Sequence, residues 1–271
     1  MFKKERLDKL LVDKKLIESR EKAKGYIMAN LVRVDGKIVN KAGTRCEVDS
    51  ELTVEKVGNH YVSRGGNKLE KALSEFNIEV KGNTVIDVGA STGGFTDCLL
   101  KHGAKEVYCV DVGYGQLDWN LRHDKRVINL EKTNIRYLNK ERFEFQFDLA
   151  TVDVSFISLE KVFPVLSGLL KPKGKVIALV KPQFEAGRGY VKKGGIVDDP
   201  DIHEMIIVRL IENTLNYFKF VNITFSPIKN SPGNIEYFIY LIKNKGENEF
   251  TNWSLIKKKI EDAHIFFKKI R

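Results

Sequence analysis

The chain has 271 residues, of which 42% are hydrophobic and 10% aromatic, so it carries enough apolar material for a core and is not disordered throughout. Its net charge of +10 favours a polyanionic partner, either nucleic acid or an anionic membrane surface. No apolar run approaches the roughly 18 residues that a transmembrane helix needs, and Met1–Lys15 lacks the apolar region of a signal peptide. We therefore expect a cytoplasmic protein without stable membrane insertion.

The cysteines and histidines give no metal-binding pattern. Cys46, Cys98 and Cys109 form no CxxC pair, and none of the five histidines belongs to an HExxH motif. Two of the cysteines lie in apolar runs, as small buried residues do. We predict free, buried cysteines and no metal site.

Residues 1–58 are predicted to form a separate small module. Apolar residues at helical spacing indicate two short helices, the second of them capped by Ser19. The pattern then changes to strands, with Asp35-Gly36 as a two-residue hairpin turn and a further strand over 52–57.

Much of the chain's excess charge lies in this module, since residues 1–45 contain 13 basic and six acidic residues. A basic face of this kind contacts phosphates and positions a nucleic acid without reading its bases. The alternative is that these are solvated charges on short helices. The candidate contacts are Arg6, Lys14, Lys15, Arg20, Lys22, Lys24 and Arg33, with Arg64 just beyond the module.

Three ordered runs of this module, Arg6–Leu11, Ser19–Ala23 and Val32–Lys37, resemble the alpha-L RNA-binding domain. That domain occurs in a small-subunit ribosomal protein and in pseudouridine synthases. The resemblance implies binding to structured RNA.

A cofactor-binding motif follows a connector at 59–64 and a helix that begins after Ser63, with Lys68 near its start. The buried strand 84–88 runs into the glycine loop 89–95 and then into an apolar helix, which is the start of a Rossmann-like unit. Such glycines let the backbone approach a ligand, but the spacing departs from the GxGxxG motif of dinucleotide-binding proteins. A tight turn without a ligand stays an alternative at this point. The candidate cofactor residues are Asp87, Gly89, Ser91, Gly93 and Phe95, with Asp111 at the end of the next strand for a ribose diol.

Charged residues follow the later strands. Strand 149–152 ends at Asp153, and strand 175–180 ends at Lys181. After a helix over 201–218, two strands flank a Pro232-Gly233 turn, which predicts a terminal hairpin with Glu236 opening its second strand. Because the carboxyl ends of parallel strands share one edge, we expect these three charged side chains to converge there.

Six runs resemble the TlyA-type rRNA 2′-O-methyltransferases, which share their catalytic fold with the FtsJ-like enzymes. These runs are Val62–Leu69, Asp87–Thr96, Asp111–Leu117, Asp153–Leu159, Lys181–Glu185 and Gly233–Phe238. The resemblance implies S-adenosylmethionine as cofactor, ribosomal RNA and ribosomal subunits as partners, and methylation of a cytidine ribose. It carries a Lys-Asp-Lys-Glu catalytic tetrad onto Lys68, Asp153, Lys181 and Glu236, and it implies Asn134 near the adenine. Some relatives carry a hemolysin label.

The expected architecture is therefore an α/β Rossmann-like methyltransferase with a mostly parallel sheet and an antiparallel terminal hairpin, plus a small α+β RNA-binding domain. The expected boundaries are 1–58 for the RNA-binding domain, 59–64 for the linker, 65–245 for the methyltransferase and 246–271 for a helical tail. An apolar stripe in that tail predicts docking against the domain; it comprises Trp253, Ile256, Ile260, Ala263 and Phe267. The basic, glycine-rich loop 183–199 is predicted either to close over RNA or to be a plain surface loop.

Within this expectation Lys181 is either the base that takes the 2′-hydroxyl proton or a group that orients the hydroxyl and stabilises oxyanion charge. The competing hypotheses are a dinucleotide-dependent oxidoreductase, a non-catalytic RNA-binding or ribosome-associated factor, and a membrane-active hemolysin. The sequence assigns no oligomeric state.

Overall fold

The computed structural model describes residues 4–17, 19–28, 31–54, 61–230, 233–244 and 252–269. The chain divides into two compact units, Met1–Asn59 and His60–Arg271, which we call the N-terminal unit and the C-terminal unit. Among the described residues no helix is both long and apolar enough to span a membrane.

The N-terminal unit contains two short helices and two small antiparallel sheets. Its elements are β1 (Lys4–Arg6), α1 (Leu7–Asp13), α2 (Arg20–Met28), β2 (Val32–Val34), β3 (Lys37–Ile38), β4 (Arg45–Glu47) and β5 (Leu52–Val54). Strand β1 pairs with β4, and β2 lies between β3 and β5. The predicted strand 52–57 is confirmed as far as Val54; its last residues and the predicted boundary at 58 lie outside the described residues.

The hairpin turn and the helix cap that the sequence predicts for this unit are both present in the structure. Asp35 and Gly36 both have positive φ, 49° and 76°, as a two-residue hairpin turn requires. The Ser19 hydroxyl accepts a hydrogen bond from the Lys22 amide at 3.3 Å, which caps α2. The two helices and the hairpin enclose a core that comprises Leu7, Leu10, Leu11, Ile17, Ala23, Ile27, Val32 and Cys46.

The C-terminal unit alternates strands and helices. Its strands are β6 (Thr84–Val88), β7 (Glu106–Val110), β8 (Val127–Leu130), β9 (Phe147–Val152), β10 (Leu170–Val180), β11 (Phe218–Phe225) and β12 (Tyr237–Lys243). Its α-helices are α3 (Arg64–Phe76), α4 (Gly94–Lys101), α5 (Trp119–His123), α6 (Phe163–Leu169), α7 (Pro182–Glu185), α8 (Pro200–Thr214) and α9 (Trp253–Lys269). Short 3₁₀ turns lie at Ile135–Tyr137, Lys140–Arg142, Leu159–Lys161 and Arg188–Tyr190.

These strands form one seven-stranded sheet in the order β11-β12-β10-β9-β6-β7-β8. Strand β12 is antiparallel to both of its neighbours, and the pairs from β10 to β8 are parallel. This confirms the predicted mostly parallel, Rossmann-like sheet. The chain builds outward from β6 to β8 and then returns to the other side of β6 with β9, so the order reverses between β6 and β9. In open α/β sheets, ligands bind at the carboxyl ends of the strands at such a reversal.

The antiparallel pairing of β11 with β12 is confirmed, but Glu236 directly precedes β12 and does not open it. The predicted Pro232-Gly233 turn falls between these strands, but Pro232 lies outside the described residues. Asn234 in this connection is 1% exposed, and it donates to the Gly195 carbonyl at 2.8 Å and accepts from the Val197 amide at 2.7 Å. These two hydrogen bonds tie Asn234 to the segment before α8.

Two helices differ from their predicted form at one end. Helix α8 ends at Thr214 and not at 218, because Phe218 and Phe220 are buried on either side of exposed Lys219, which is the alternation of a strand. In α9 the apolar stripe docks as predicted except at its first residue, Trp253, which opens the helix and is 42% exposed. The three cysteines are free and buried, as expected.

Candidate active site

A cavity of about 240 Å³ lies at the carboxyl ends of β6 and β9, where the strand order reverses. It is enclosed by the start of α3, the glycine loop after β6 and the end of β9. Its lining residues are Ser63, Arg64, Gly65, Lys68, Gly89, Ala90, Ser91, Thr92, Gly94, Phe95 and Asp153.

The glycine loop approaches β9 closely. Gly89 has a φ of +84°, and a Cβ atom at this position would clash with the carbonyl oxygen of Asp153. Gly93 also has a positive φ, and a Cβ atom there would clash with the side chains of Leu117 and Leu121. Gly89 therefore shapes the cavity itself, whereas Gly93 lets the loop pack against α5.

Asp87 lies beneath the loop and does not line the cavity. Its fully buried carboxylate accepts hydrogen bonds from the hydroxyls of Thr96 at 2.7 Å and Thr151 at 2.9 Å. Burial raises the pKa of Asp87 to about 6, although the two hydroxyls oppose this shift. This carboxyl braces the loop against β9 and α4.

Asp111, directly after β7, lines a small adjoining cleft. Its carboxylate accepts hydrogen bonds from the amides of Ser91 at 2.8 Å and Gly113 at 2.7 Å. The cleft shares Ala90 and Ser91 with the cavity, so the two recesses adjoin along the loop. Asn134 is in neither lining; its side chain accepts from the Arg136 amide at 3.0 Å and caps a 3₁₀ turn.

The four charged residues of the expected tetrad form two ion pairs at the cavity. Lys68 Nζ lies 2.6 Å from Glu236 Oε2, and Lys181 Nζ lies 2.6 Å from Asp153 Oδ1. Lys68 and Asp153 both line the cavity, so one member of each pair faces it. The Lys68 and Lys181 side chains are only 13% and 12% exposed, and Glu236 is almost fully buried. The predicted convergence is thus present, with Lys68 contributed by α3.

The carboxyl edge of the sheet also contains residues that the sequence did not single out as site residues. Lys181 Nζ donates to the Ser155 hydroxyl at 2.9 Å. The next residue, Phe156, is 90% exposed with a φ of +63°, and its ring centroid lies 4.8 Å from that of Phe184. A bulky residue with positive φ is uncommon and marks a constrained position. The sequence signal for Phe156 was an aromatic residue three positions beyond Asp153, which follows β9.

Glu185 joins the loops that follow β9 and β10. Its buried carboxylate accepts a hydrogen bond from the Leu159 amide at 2.9 Å, and burial raises its pKa. Since Leu159 follows Phe156 and Glu185 follows Lys181, this contact sets the two loops against each other. No local sequence pattern indicates it.

The predicted basic residues of the N-terminal unit have several roles. Arg6 and Arg20 bind the buried carboxylate of Asp8 at 3.0 and 2.8 Å and hold its pKa well below its usual range, chiefly through the Arg6 hydrogen bond. Lys14 donates to the Ser50 carbonyl at 3.0 Å. The other predicted positions in this unit are Lys15, Lys22 and Lys24, which are exposed, and Arg33, which is half-buried. Arg64 belongs to the C-terminal unit and lines the cavity.

The prediction of no metal site stays a prediction. In the described part of the chain, donor atoms of Glu70, Cys98 and His102 lie within 4.8 Å of one another, away from the cavity lining. Burial raises the pKa of the Cys98 thiol to about 12, so the thiol is protonated at neutral pH.

A Rossmann-like sheet with a short glycine loop at its reversal point and a lysine–carboxylate cluster beside it defines an S-adenosylmethionine-dependent methyltransferase. The chain belongs to the FtsJ-like methyltransferase family, whose model matches residues 61–243. Residues 5–52 match the S4 domain, which is an RNA-binding domain. The family therefore overturns the oxidoreductase and non-catalytic alternatives and confirms the expected enzyme class and cofactor.

Related proteins match across most of the chain. It is 51% identical to YqxC of Bacillus subtilis, an rRNA methyltransferase by name, with 88% of this chain and 86% of that protein covered. It is 41% identical to the 16S/23S rRNA (cytidine-2′-O)-methyltransferase TlyA of Mycobacterium tuberculosis, with 97% of each chain covered. A solved structure from Streptococcus thermophilus that carries a hemolysin name has a TM-score of 0.80 at 43% identity, covering 100% of this chain and 99% of that one.

The residues at the reversal point fit S-adenosylmethionine. The cavity and the Asp111 cleft adjoin through Ala90 and Ser91, which suits an elongated ligand with a charged amino-acid end and a nucleoside end. The absence of a side chain at Gly89 lets the loop lie against the Asp153 carbonyl at the end of β9, which sets one boundary of the cavity. When bound, the cofactor supplies an electrophilic methyl group.

Proposed function

We propose that this protein methylates the ribose 2′-oxygen of a cytidine in ribosomal RNA within a ribosomal subunit, and that it acts in the cytoplasm where that substrate occurs. The proposal rests on two ion pairs beside the cofactor cavity, Lys68–Glu236 and Lys181–Asp153. The M. tuberculosis relative named for cytidine-2′-O-methylation supports the choice of nucleotide.

In this proposal Lys181 contacts the 2′-hydroxyl. S-adenosylmethionine would supply the methyl group, and the 2′-hydroxyl proton would pass to Lys181 Nζ where that amine is neutral, or otherwise to solvent. Asp153 and Ser155 hold Lys181 Nζ in position, at 2.6 and 2.9 Å. Lys181 either accepts the proton or donates to the oxygen as negative charge develops on it. Lys68, which also lines the cavity, is paired with Glu236 and completes the tetrad.

We assign the cofactor to the two adjoining recesses. Gly89, Ser91 and Phe95 would lie along the methionine part, and Asp111 would bind the ribose diol. Asp87 and Gly93 would act indirectly by shaping the loop. Asn134 caps its 3₁₀ turn through Oδ1 and would offer its Nδ2 group to the adenine.

Replacement of Asp111 should weaken cofactor binding. Hydrogen bonds to a charged group contribute about 1.5–3 kcal/mol each, so Asp111→Ala should raise the Kd for S-adenosylmethionine about 10- to 100-fold in calorimetry. Asp124→Ala is the matched control, because Asp124 lies before β8 at the other edge of the sheet and pairs with Arg126. An unchanged Kd for Asp111→Ala would remove the ribose assignment.

Phe156 is placed to stack on a base of the RNA. It is 90% exposed, and its neighbour Ser155 contacts Lys181. Base–aromatic stacking contributes about 1–3 kcal/mol, so Phe156→Ala should raise the KM for RNA by about tenfold or more without changing the cofactor Kd. Trp253→Ala, which removes an exposed ring from the start of α9, should leave both constants unchanged. Equal effects of the two variants would contradict a stacking role.

The N-terminal unit would hold the rRNA through phosphate contacts. Its candidate residues are Arg6, Lys14, Lys15, Arg20, Lys22, Lys24 and Arg33. Arg6 and Arg20 keep about half of their side-chain surface exposed while they bind Asp8, so both can still reach a phosphate. Arg64, in the cavity lining, is equally suited to the carboxylate of the cofactor.

The decisive test is transfer of a tritiated methyl group to ribosomal subunits from a strain that lacks this protein. We expect label in rRNA, at a cytidine ribose when the modified nucleotide is mapped. Absence of incorporation on every rRNA substrate, with cofactor binding intact, would refute the proposed function.

A further inference from the structure

We infer that a second cavity, beside the β11–β12 connection, binds a nucleotide of the RNA that flanks the methylated ribose. This inference rests on the proposed function. The cavity has a volume of about 720 Å³ and lies between residues 196–198, residues 227–229 and 233–235, and the last turns of α9. That volume falls within the roughly 300–1,000 Å³ typical of small-molecule sites.

The lining combines an apolar floor with a cationic rim. Ile196, Ile228, Ile235 and Phe267 supply apolar surface, and Lys229, His264 and Lys268 supply nitrogen atoms. The lining contains two lysines and one acidic group, Asp198, which is paired with Lys192 at 2.6 Å. A nucleotide matches both parts, with an apolar nucleoside face and an anionic phosphate.

The basic groups of the rim lie close to one another. Lys229 Nζ lies 5.1 Å from the ring centroid of Phe267. Burial, followed by the charges of Lys268 and Lys229, lowers the pKa of His264. Nε2 of His264 lies 3.1 Å from Nδ1 of His203, so the imidazole is also held from inside the protein.

The cavity lies at the same edge of the sheet as the candidate active site. Strand β12 begins at Tyr237, opposite Val180 at the carboxyl end of β10, and Lys181 follows directly. On the other side Ile235, which lines the cavity, immediately precedes Glu236. Asn234 ties this wall to Gly195 and Val197. One RNA strand can therefore contact the tetrad and the second cavity together.

The basic character of the chain and of the cavity rim favours RNA as the occupant of the second cavity. The chain carries a net charge of +10, the family is a methyltransferase joined to an RNA-binding domain, and the rim presents two lysines. An apolar effector would make no use of these amines.

The test compares two double variants with the same loss of charge. Lys229→Ala/Lys268→Ala removes the rim, and Lys257→Ala/Lys258→Ala removes two exposed lysines from the first half of α9. In the full chain acting on ribosomal subunits, the rim variant should raise the RNA KM about tenfold or more. The slope of log K against log salt should fall by about one for each phosphate that the rim no longer binds. The control should change neither quantity, and both variants should keep kcat and the cofactor Kd.

A third variant, Ile228→Trp, fills the cavity without changing charge and should also raise the RNA KM, with thermal unfolding used to confirm folding. If the two double variants had equal effects, the change would reflect the net charge of the chain and not the cavity. If the rim variant had no effect, the cavity would not contact RNA. Either result overturns the inference. Filter binding of rRNA separates this inference from the proposed function. If the wild type binds rRNA and the rim variant binds it more weakly, but no methyl group is transferred, the proposed function fails and the RNA site remains.

Discussion

Lys181→Met should nearly abolish methyl transfer while cofactor binding is retained. Proton transfer by a positioned side chain contributes about 10²–10⁴ in rate, so kcat should fall by about that factor. Methionine keeps the length of the chain but loses Nζ, which contacts Asp153 and Ser155 at the cavity. Single-turnover methylation of ribosomal subunits measures the rate, and calorimetry measures the cofactor Kd.

The matched control is Lys171→Met on the same strand, β10. Lys171 also forms a 2.6 Å ion pair, with Asp148, but near the amino end of the strand. Its replacement should leave kcat unchanged. Wild-type kcat that rises with pH, together with an inactive Lys181→Arg, would assign Lys181 as the base. A flat profile with partial activity in Lys181→Arg would assign an orienting role, and full activity of Lys181→Met would exclude both.

Glu236→Ala should destabilise the C-terminal unit strongly. Glu236 and Lys68 are 2% and 13% exposed in their side chains, and loss of one partner leaves a buried charge uncompensated. Breaking a buried pair of this kind costs about 3–5 kcal/mol, which urea unfolding can measure. Lys68→Met should behave similarly, and the double variant should cost less than the two single changes together.

Glu160→Ala provides the comparison for an exposed pair. Glu160 and Arg209 are 36% and 43% exposed, so the loss should be at most about 1 kcal/mol. If Glu236→Ala cost no more than this control, the Lys68–Glu236 pair would not hold α3 against the β11–β12 connection.

The sequence by itself determined the order of elements and the edge at which the site lies. Buried strands have continuous apolar runs, such as Val176–Val180 of β10, and the Asp35-Gly36 turn has a composition that few other turns use. Because parallel strands end at a common edge, Asp153 and Lys181 could be placed together from local pattern alone. The family resemblance added Lys68, which no strand end indicates.

Only the tertiary structure decided which groups pair and which face the cavity. Lys68 meets Glu236 across 168 positions of sequence, and such a contact depends on how α3 packs against the sheet. Asp87 precedes the glycine loop as expected, yet its side chain points beneath it, since strand residues alternate between faces and Thr96 and Thr151 satisfy its oxygens there. The exposed ring of Phe156 likewise follows from a positive φ that no residue preference predicts.

The four residues of the tetrad illustrate the same division. Their identities and their common edge follow from sequence, because strand ends and family motifs are local properties of the chain. Their arrangement as two separate ion pairs, the Glu185 contact that sets the neighbouring loops, and the second cavity beside Ile235 depend on long-range packing. Packing of distant segments decides the direction of each side chain, and that direction is what turns charged strand ends into a candidate active site.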